Sequence, residues 1–288
     1  MDSDRIQRKA YAKVNLGLDV LRRREDGYHE VRMIMQTVDL YDTLTFSKQK
    51  EKGILVLTDQ EALPGDESNL VYRAAKLITD TYGVEQGIRI DLQKRIPMAA
   101  GMAGGSTDAA AVFHGMNELF DLGMGQEEMC RLGVRIGADV PYCIMGGTAL
   151  AEGIGEKLTP LKAAPSCFVV IAKPDLEVST KYVYENLQAD SLAFHPDIDG
   201  MQAAIDMGNL QEMAKRMGNV LETVTETRYP VITQLKELMK AGGALNALMS
   251  GSGPTVFGIF DTQESAGNIY EELKNKKITS QVFLSALV

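Results

Sequence analysis

Three separated clusters in this sequence carry residue types that do chemistry. One is Lys13 with Asn15, two polar side chains one strand repeat apart in Ala12–Leu16 (AKVNL). Another is Pro97–Thr107 (PMAAGMAGGST), where Gly101, Gly104 and Gly105 precede Ser106 and Thr107. The third is Asp139, inside Gly137–Pro141 (GADVP). Glycines let the backbone approach a ligand, and unpaired N–H groups at a helix N-terminus favour an anion. Ser106 and Thr107 add hydroxyls able to cap a helix, bind a phosphate oxygen or reach a metal. Asp139 has the chemistry of a general base for a substrate hydroxyl, and Lys13 can stabilise that carboxylate and a developing negative charge. Phosphoryl transfer to an alcohol needs these parts: positioning, charge neutralisation and a proton acceptor.

The same residues also admit plain structural roles. The glycine segment can be a turn with a Ser/Thr cap, Asp139 a turn residue and Lys13 a surface lysine. Asp108 reads as a first-turn acid that suits the helix dipole. Ser250–Thr255 (SGSGPT) reads as a tight hairpin between strands, notable for its conjunction with the first glycine loop. Two nucleotide-binding patterns are excluded. A Walker A loop carries Lys before its Ser/Thr, whereas Gly105 precedes Ser106. A dinucleotide fingerprint needs GxGxxG after a buried strand, and the spacing of Gly101, Gly104 and Gly105 fails it, with Pro97 interrupting the approach.

The elements that position these residues follow from periodicity. Lys9–Val20 alternates, with Ala10, Ala12, Val14, Leu16, Leu18 and Val20 on one face and Lys13 and Asn15 on the other, which predicts a half-buried strand. Asp26-Gly27 predicts a turn into a second strand at 29–37, and a third extended stretch follows at 38–46. Ser68 is the predicted N-cap of a helix with Leu70, Ala74, Leu77, Ile78 and Thr81 on one stripe. A strand near 88–92 stops at Pro97, and helices are predicted at 108–120 and 126–136. In the second half, a strand at 168–172 precedes helices at 180–187, 209–224 and 231–240. The chain then reads strand 244–249, glycine turn, strand 255–260, helix 264–275 and strand 280–287. Strands and helices are mixed throughout, so the fold class is α+β, with domains 1–163 and 164–288.

The composition bounds the partners. The 288 residues carry 30 Lys+Arg and 39 Asp+Glu, a formal net charge of −9. That balance, with 6% aromatic residues and no Trp, argues against nucleic-acid and membrane-surface partners, which need a cationic footprint. An anionic ligand must then be held by local groups. Cys130, Cys143 and Cys167 are too scattered for a disulfide framework or metal knuckle. The acidic N-terminus lacks signal-peptide order, and no apolar run approaches the roughly 18 residues of a membrane span. A cytoplasmic protein, monomeric or weakly homodimeric, is the expectation.

Taken together, Ala12–Leu16, Pro97–Thr107 and Met249–Pro254 (MSGSGP) resemble, in order, the three motifs of the GHMP kinase superfamily. Asp26–Glu30 (DGYHE) and Gly137–Pro141 narrow the resemblance to the branch that acts on a CDP-linked methylerythritol. The likeness extends from about Arg8 to Phe260. It implies an N-terminal domain similar to ribosomal protein S5 domain 2, a ferredoxin-like C-terminal domain, and substrates meeting in the cleft between them. It implies transfer of the ATP γ-phosphate to the 2-hydroxyl of the alcohol, a step of the non-mevalonate isoprenoid pathway. By the same resemblance Asp139 is the general base and Lys13 its catalytic partner. Pro97, Met98, Ala99, Ala100, Gly101, Met102, Ala103, Gly104, Gly105, Ser106 and Thr107 form the ATP phosphate loop, and Asn69 borders the adenine. Asn15, Tyr28 and His29 fall in the substrate site, with Tyr184, rather than Tyr182, as a second aromatic for the cytosine. Mg²⁺ follows from the reaction class, with Ser106 a possible ligand. Ala99, Ala100 and Ala103 stand where some relatives carry glycine, and Thr107 where serine is common. A homoserine- or mevalonate-type kinase, and a non-catalytic nucleotide binder on the same fold, are the competing readings.

Overall fold

The computed structural model describes residues 4–288, which gather into two compact units interleaved along the chain. The first comprises residues 4–12, 40–98 and 103–146, and the second residues 13–39, 99–102 and 147–288.

In the first unit, β1 (Arg5–Arg23) and β2 (His29–Gln49) contribute their outer ends. β3 (Ile54–Thr58) runs parallel to β4 (Gly87–Gln93), and β4 pairs antiparallel with β2 from Thr43 opposite Gln93 to Gln49 opposite Gly87. The helices are α1 (Leu70–Tyr82), α2 (Gly104–Leu119), α3 (Gln126–Gly133) and α4 (Val140–Met145). Alternate residues of the strands, Leu44 and Phe46 on β2 with Ile88, Ile90 and Leu92 on β4, share a core with Val71 and Ile78 of α1 and with Val112, Phe113 and Met116 of α2. Each such side chain contributes roughly 1.5–3 kcal/mol by leaving water. A methyl at Gly115 would collide with the Phe46 ring, so the missing side chain lets α2 lie close on the sheet.

In the second unit, β5 (Thr148–Gly153) pairs antiparallel with residues 31–36 of β2, and β6 (Lys157–Pro160) pairs with β5. There follow β7 (Phe168–Lys173), α5 (Thr180–Asn186), α6 (Ile198–Asp206), α7 (Leu210–Arg216) and the two-residue β8 (Gly218–Asn219). β8 lies parallel to β1, with Gly17 opposite Gly218. α8 (Glu222–Arg228), α9 (Val231–Ala241), β9 (Asn246–Met249), β10 (Val256–Phe260), α10 (Gln263–Lys276) and β11 (Gln281–Ala286) complete the chain. The order β11-β7-β10-β9 is an antiparallel four-stranded sheet in β-α-β-β-α-β sequence, the ferredoxin-like arrangement, with α5–α9 in place of its first helix. Among the described residues no helix is long and apolar enough to cross a membrane.

Several local expectations change. The stretches 29–37 and 38–46 are one continuous strand. The cap of α1 is Asn69, whose Oδ1 accepts from Val71 N at 2.9 Å, while the Ser68 amide and hydroxyl both donate to Asp66. The buried stripe of α1 is Val71, Ala74, Ala75 and Ile78, one residue round from the one drawn through Leu77. α2 begins at Gly104, four residues early, so Ser106 and Thr107 lie inside its first turn instead of capping it. Residues 209–224 divide into α7, β8 and the start of α8, because Gly218 turns the chain onto β1.

Candidate active site

In the first unit, the glycine segment leads into α2 through Ala103, which holds a left-handed φ of 57° and makes no side-chain cap. The first-turn N–H groups of α2 therefore lack the side-chain acceptor that ordinarily covers them, as an anion site requires. The Thr107 hydroxyl donates to Tyr11 O at 2.7 Å. The Ser106 hydroxyl makes no hydrogen bond with the described residues. Pro97 is followed by Met98, 43% exposed despite its apolar side chain. Asn69, buried at the head of α1, donates through Nδ2 to Pro64 O at 2.9 Å while its Oδ1 caps. Both polar atoms of that side chain thus hold the 64–71 segment in shape. Asp139 occupies the N-cap position of α4 with Pro141 in the first turn, yet its carboxylate makes no capping bond. A Cβ at Gly137 would stand 3.8 Å from Ser106 Oγ, so the Asp139 turn lies beside the start of α2.

In the second unit, residues 99–102 of the same loop meet Lys13 and the third glycine motif. Lys13 N donates to Met102 O at 3.2 Å, and Lys13 Nζ donates to Asn15 Oδ1 at 2.9 Å. Lys13 is 5% exposed and Asn15 wholly buried, so the polar face of β1 is inside the protein, not at the half-exposed surface that alternation predicts. Ser250 Oγ donates to Gly101 O at 2.9 Å. Gly101 has φ of 70°, and a Cβ there would overlap Ser250 O. The SGSG turn is thus a wall against the loop. Its own position is fixed by Asn219, whose Nδ2 donates to Met249 O at 2.9 Å and Gly251 O at 2.8 Å, and by Glu222 Oε1, which accepts from Met249 N at 2.7 Å. Sequence reasoning missed Asn219 and Glu222, since neither lies within a recognisable motif. The Asn after Gly218 in the helix-to-strand corner was the one available signal.

A separate cavity of about 310 Å³ in this unit is lined by Arg23, His29, Tyr184, Gln188, Asp190 and Ser191, among others. The His29 and Tyr184 rings lie 5.1 Å apart, tilted by 37°. Burial, then the charge of Arg23, lower the His29 pKa, with Asp190 opposing, so the imidazole is neutral at pH 7. Tyr28 stands outside that cavity lining, 61% exposed in the turn, its N–H donating to Asp26 Oδ1 at 3.1 Å. Tyr182 is engaged elsewhere, its hydroxyl accepting from Arg228 Nη1 at 3.2 Å beneath a guanidinium 4.6 Å from its ring.

Known proteins match this chain at both levels. The family model for the GHMP kinases N terminal domain covers residues 69–147, and that for the GHMP kinases C terminal domain covers residues 201–279. A 4-diphosphocytidyl-2-C-methyl-D-erythritol kinase of Lachnoclostridium phytofermentans is 52% identical over 98% of this chain and 97% of its own length. One from Lachnospira eligens is 54% identical over 96% of both. The chain belongs to the 4-diphosphocytidyl-2-C-methyl-D-erythritol kinase family of the GHMP kinases. Its backbone agrees: a crystal structure of 4-(cytidine 5'-diphospho)-2C-methyl-D-erythritol kinase superposes with a TM-score of 0.85 at 33% identity, covering 98% of this chain and 99% of the other. Homoserine kinase from Cytophaga hutchinsonii, at 23% identity and a TM-score of 0.81, shares the fold.

ATP and Mg²⁺ are the cofactors of this kinase family, and the residues present fit them. An uncapped helix start with glycines suits phosphate, and Ser106 keeps a hydroxyl to offer. Among the described residues no group of three or more His, Cys, Asp or Glu side chains is gathered for a metal.

Proposed function

We propose that the chain transfers the γ-phosphoryl group of ATP to the 2-hydroxyl of 4-diphosphocytidyl-2-C-methyl-D-erythritol. Asp139 accepts the hydroxyl proton as the substrate oxygen bonds to phosphorus. The bond from phosphorus to the β–γ bridging oxygen breaks, and ADP leaves. Lys13, held by Asn15, stabilises the carboxylate and the charge developing on the transferring group. Residues 97–107 cradle the phosphates, and Asn69 shapes the adenine end. Bound Mg²⁺ neutralises phosphate charge, and Ser106 is the residue assigned to reach it.

The observation that carries the reading is the His29–Tyr184 cavity. Its volume falls in the small-ligand range of roughly 300–1,000 Å³. It offers a neutral imidazole able to donate and accept, beside an aromatic face, and this suits a pyrimidine base far better than a bare amino or hydroxy acid. Tyr28 and Asn15 are assigned to the same substrate, Tyr28 by closing over the base from its exposed turn.

Residues 1–163 and 164–288 are assigned as the two domains, supported by the family matches lying on either side of that boundary. A monomer or weak homodimer is the assembly assigned to the enzyme. No disulfide joins Cys130, Cys143 and Cys167, in keeping with the reducing cytoplasm proposed for it.

Asp139→Asn tests the assignment of the base. It keeps the side chain's shape and removes the proton acceptor, so kcat falls by on the order of 10²–10⁴ while the Kd for ATP stays within about twofold. A variant with near-normal kcat overturns the assignment.

A further inference from the structure

Asp42, Lys94 and Asp108 form a buried cluster that the chemistry above does not use. Their side chains are 0%, 5% and 2% exposed. Lys94 Nζ donates to Asp42 Oδ2 and, at 2.7 Å, to Asp108 Oδ2. Asp42 Oδ1 accepts from the backbone of Arg95 and, at 2.8 Å, from Ile96 N. One carboxylate on β2 therefore grips both the lysine side chain and the two peptide groups that lead into Pro97. The other acid, Asp108, stands in the first turns of α2. Between them the ammonium lies 3.4 Å from where a Cβ on Gly104 would sit, against the first residue of that helix.

The sequence reads Asp108 as a first-turn acid suited to the helix dipole, whereas the structure buries it against Lys94. Desolvation pushes its carboxyl up to about 8, against the pull of Lys94. Asp108 Oδ1 is buried without a partner. Two buried acids sharing one ammonium, with an orphaned oxygen, are a poor source of stability. A well-packed apolar trio serves a core at least as well. What the cluster does supply is geometry, since hydrogen bonds with fixed directions join the segment entering the glycine loop to the helix leaving it.

We propose that Lys94 is a positioning residue for ATP, tying Asp42 ahead of the loop to Asp108 behind it and so setting where the first-turn N–H groups of α2 are presented. The proposal rests on the reading of residues 97–107 as the phosphate loop. The Lys94 ammonium is buried and engaged by Asp42 and Asp108. It acts through the spacing between Ile96 and Gly104, and a displacement of about 1 Å there is enough to cost up to a hundredfold in rate or affinity for the group that is held.

The test uses steady-state kinetics of the full chain with each substrate varied in turn, alongside thermal melts. Lys94→Met alone strands two buried acids, so the informative variant is the charge-free triple Asp42→Asn, Lys94→Met, Asp108→Asn. Asp108→Leu is the second variant, because it leaves an electroneutral Lys94–Asp42 pair and cuts the tie to α2. Both are expected to raise KM for ATP on the order of tenfold, with KM for the CDP-linked alcohol within about twofold of the parent. Unchanged KM for ATP in Asp108→Leu, or an equal rise for both substrates accompanied by a fall in Tm, overturns the proposal. Gly105→Val serves as the control on the loop itself. If it leaves KM for ATP unchanged, the loop reading is what fails. If it raises KM for ATP while Asp108→Leu does not, only the role of Lys94 fails.

Discussion

Replacing Gly101 by alanine perturbs the loop at a single point whose surroundings are fully specified. The residue holds φ of 70°, where a side chain costs about 1–2 kcal/mol. The new methyl also overlaps Ser250 O and approaches Gly253 O at 3.1 Å and Gly253 N at 3.3 Å. Ser250 lies between Met249 and Gly251, which Asn219 and Glu222 hold, and Gly253 N–H donates to Ser250 O, so the loop rather than the wall must retreat, by about 1 Å to reach ordinary contact. Strain and overpacking together lower stability by about 2–4 kcal/mol, which in a chain of this size shifts Tm down by about 4–8 °C. The same retreat misplaces the phosphate cradle, so kcat/KM for ATP falls on the order of a hundredfold. ADP release at saturating alcohol with ATP varied reads the kinetic effect, and a melt followed by circular dichroism reads the thermal one. Ala103→Gly is the contrasting variant: it sits at φ of 57° and relieves strain without a new atom, so Tm is maintained or raised. A Gly101→Ala protein with unchanged Tm shows that the contact with Ser250 is absent. One with lowered Tm and unaltered ATP kinetics shows that the loop does not hold the nucleotide.

Other outcomes follow from the same geometry. His29→Ala raises KM for the CDP-linked alcohol on the order of tenfold and leaves KM for ATP within about twofold, and an unchanged alcohol KM removes His29 from base recognition. Because the His29 pKa is lowered from 6.5, the neutral ring predominates from pH 8 down to 6.5 and gives way to the protonated ring at more acid pH. Alcohol binding is therefore flat over that range and weakens at more acid pH, and weakening already at pH 7 contradicts the neutral imidazole. Asn219→Ala orphans Met249 O, Gly251 O and Leu221 N, costing about 2–4 kcal/mol and lowering Tm by several degrees. Cys167, its thiol pushed up to about 12 by burial, resists alkylation at pH 8 in the native protein and reacts once urea unfolds it. Rapid native labelling at that position contradicts its burial.

Much of the architecture is legible because burial has a period. Ala10, Ala12, Val14, Leu16, Leu18 and Val20 all lie at 3% exposure or less, as alternation predicts for β1. Alternation also predicts a wet opposite face, and there it fails: Lys13, Asn15 and Asp19 are inside because later segments cover them. The start of α2 was hidden by Gly104 and Gly105, which are poor helix formers. The family was legible through the order of the motifs that hold Lys13, the glycine loop and Asp139. Asn219, Glu222 and the Asp42–Lys94–Asp108 cluster were not, since the partners lie 14 to 54 residues apart and only the fold brings them together. Asp108 illustrates the cost of reading locally: the dipole explains an acid in a first turn, but the lysine that buries it comes from the strand side of the loop.

The measurement that bears most directly on the central claim is phosphate transfer by the purified chain with Mg-ATP. Separate reactions offer 4-diphosphocytidyl-2-C-methyl-D-erythritol, homoserine and mevalonate, with ADP release followed in each and the product's phosphate located by ³¹P and ¹³C NMR. Turnover with the CDP-linked alcohol alone, and phosphorus on its 2-oxygen, is the predicted result. Turnover with homoserine or mevalonate and none with the CDP-linked alcohol, or phosphorus on a different oxygen, contradicts it.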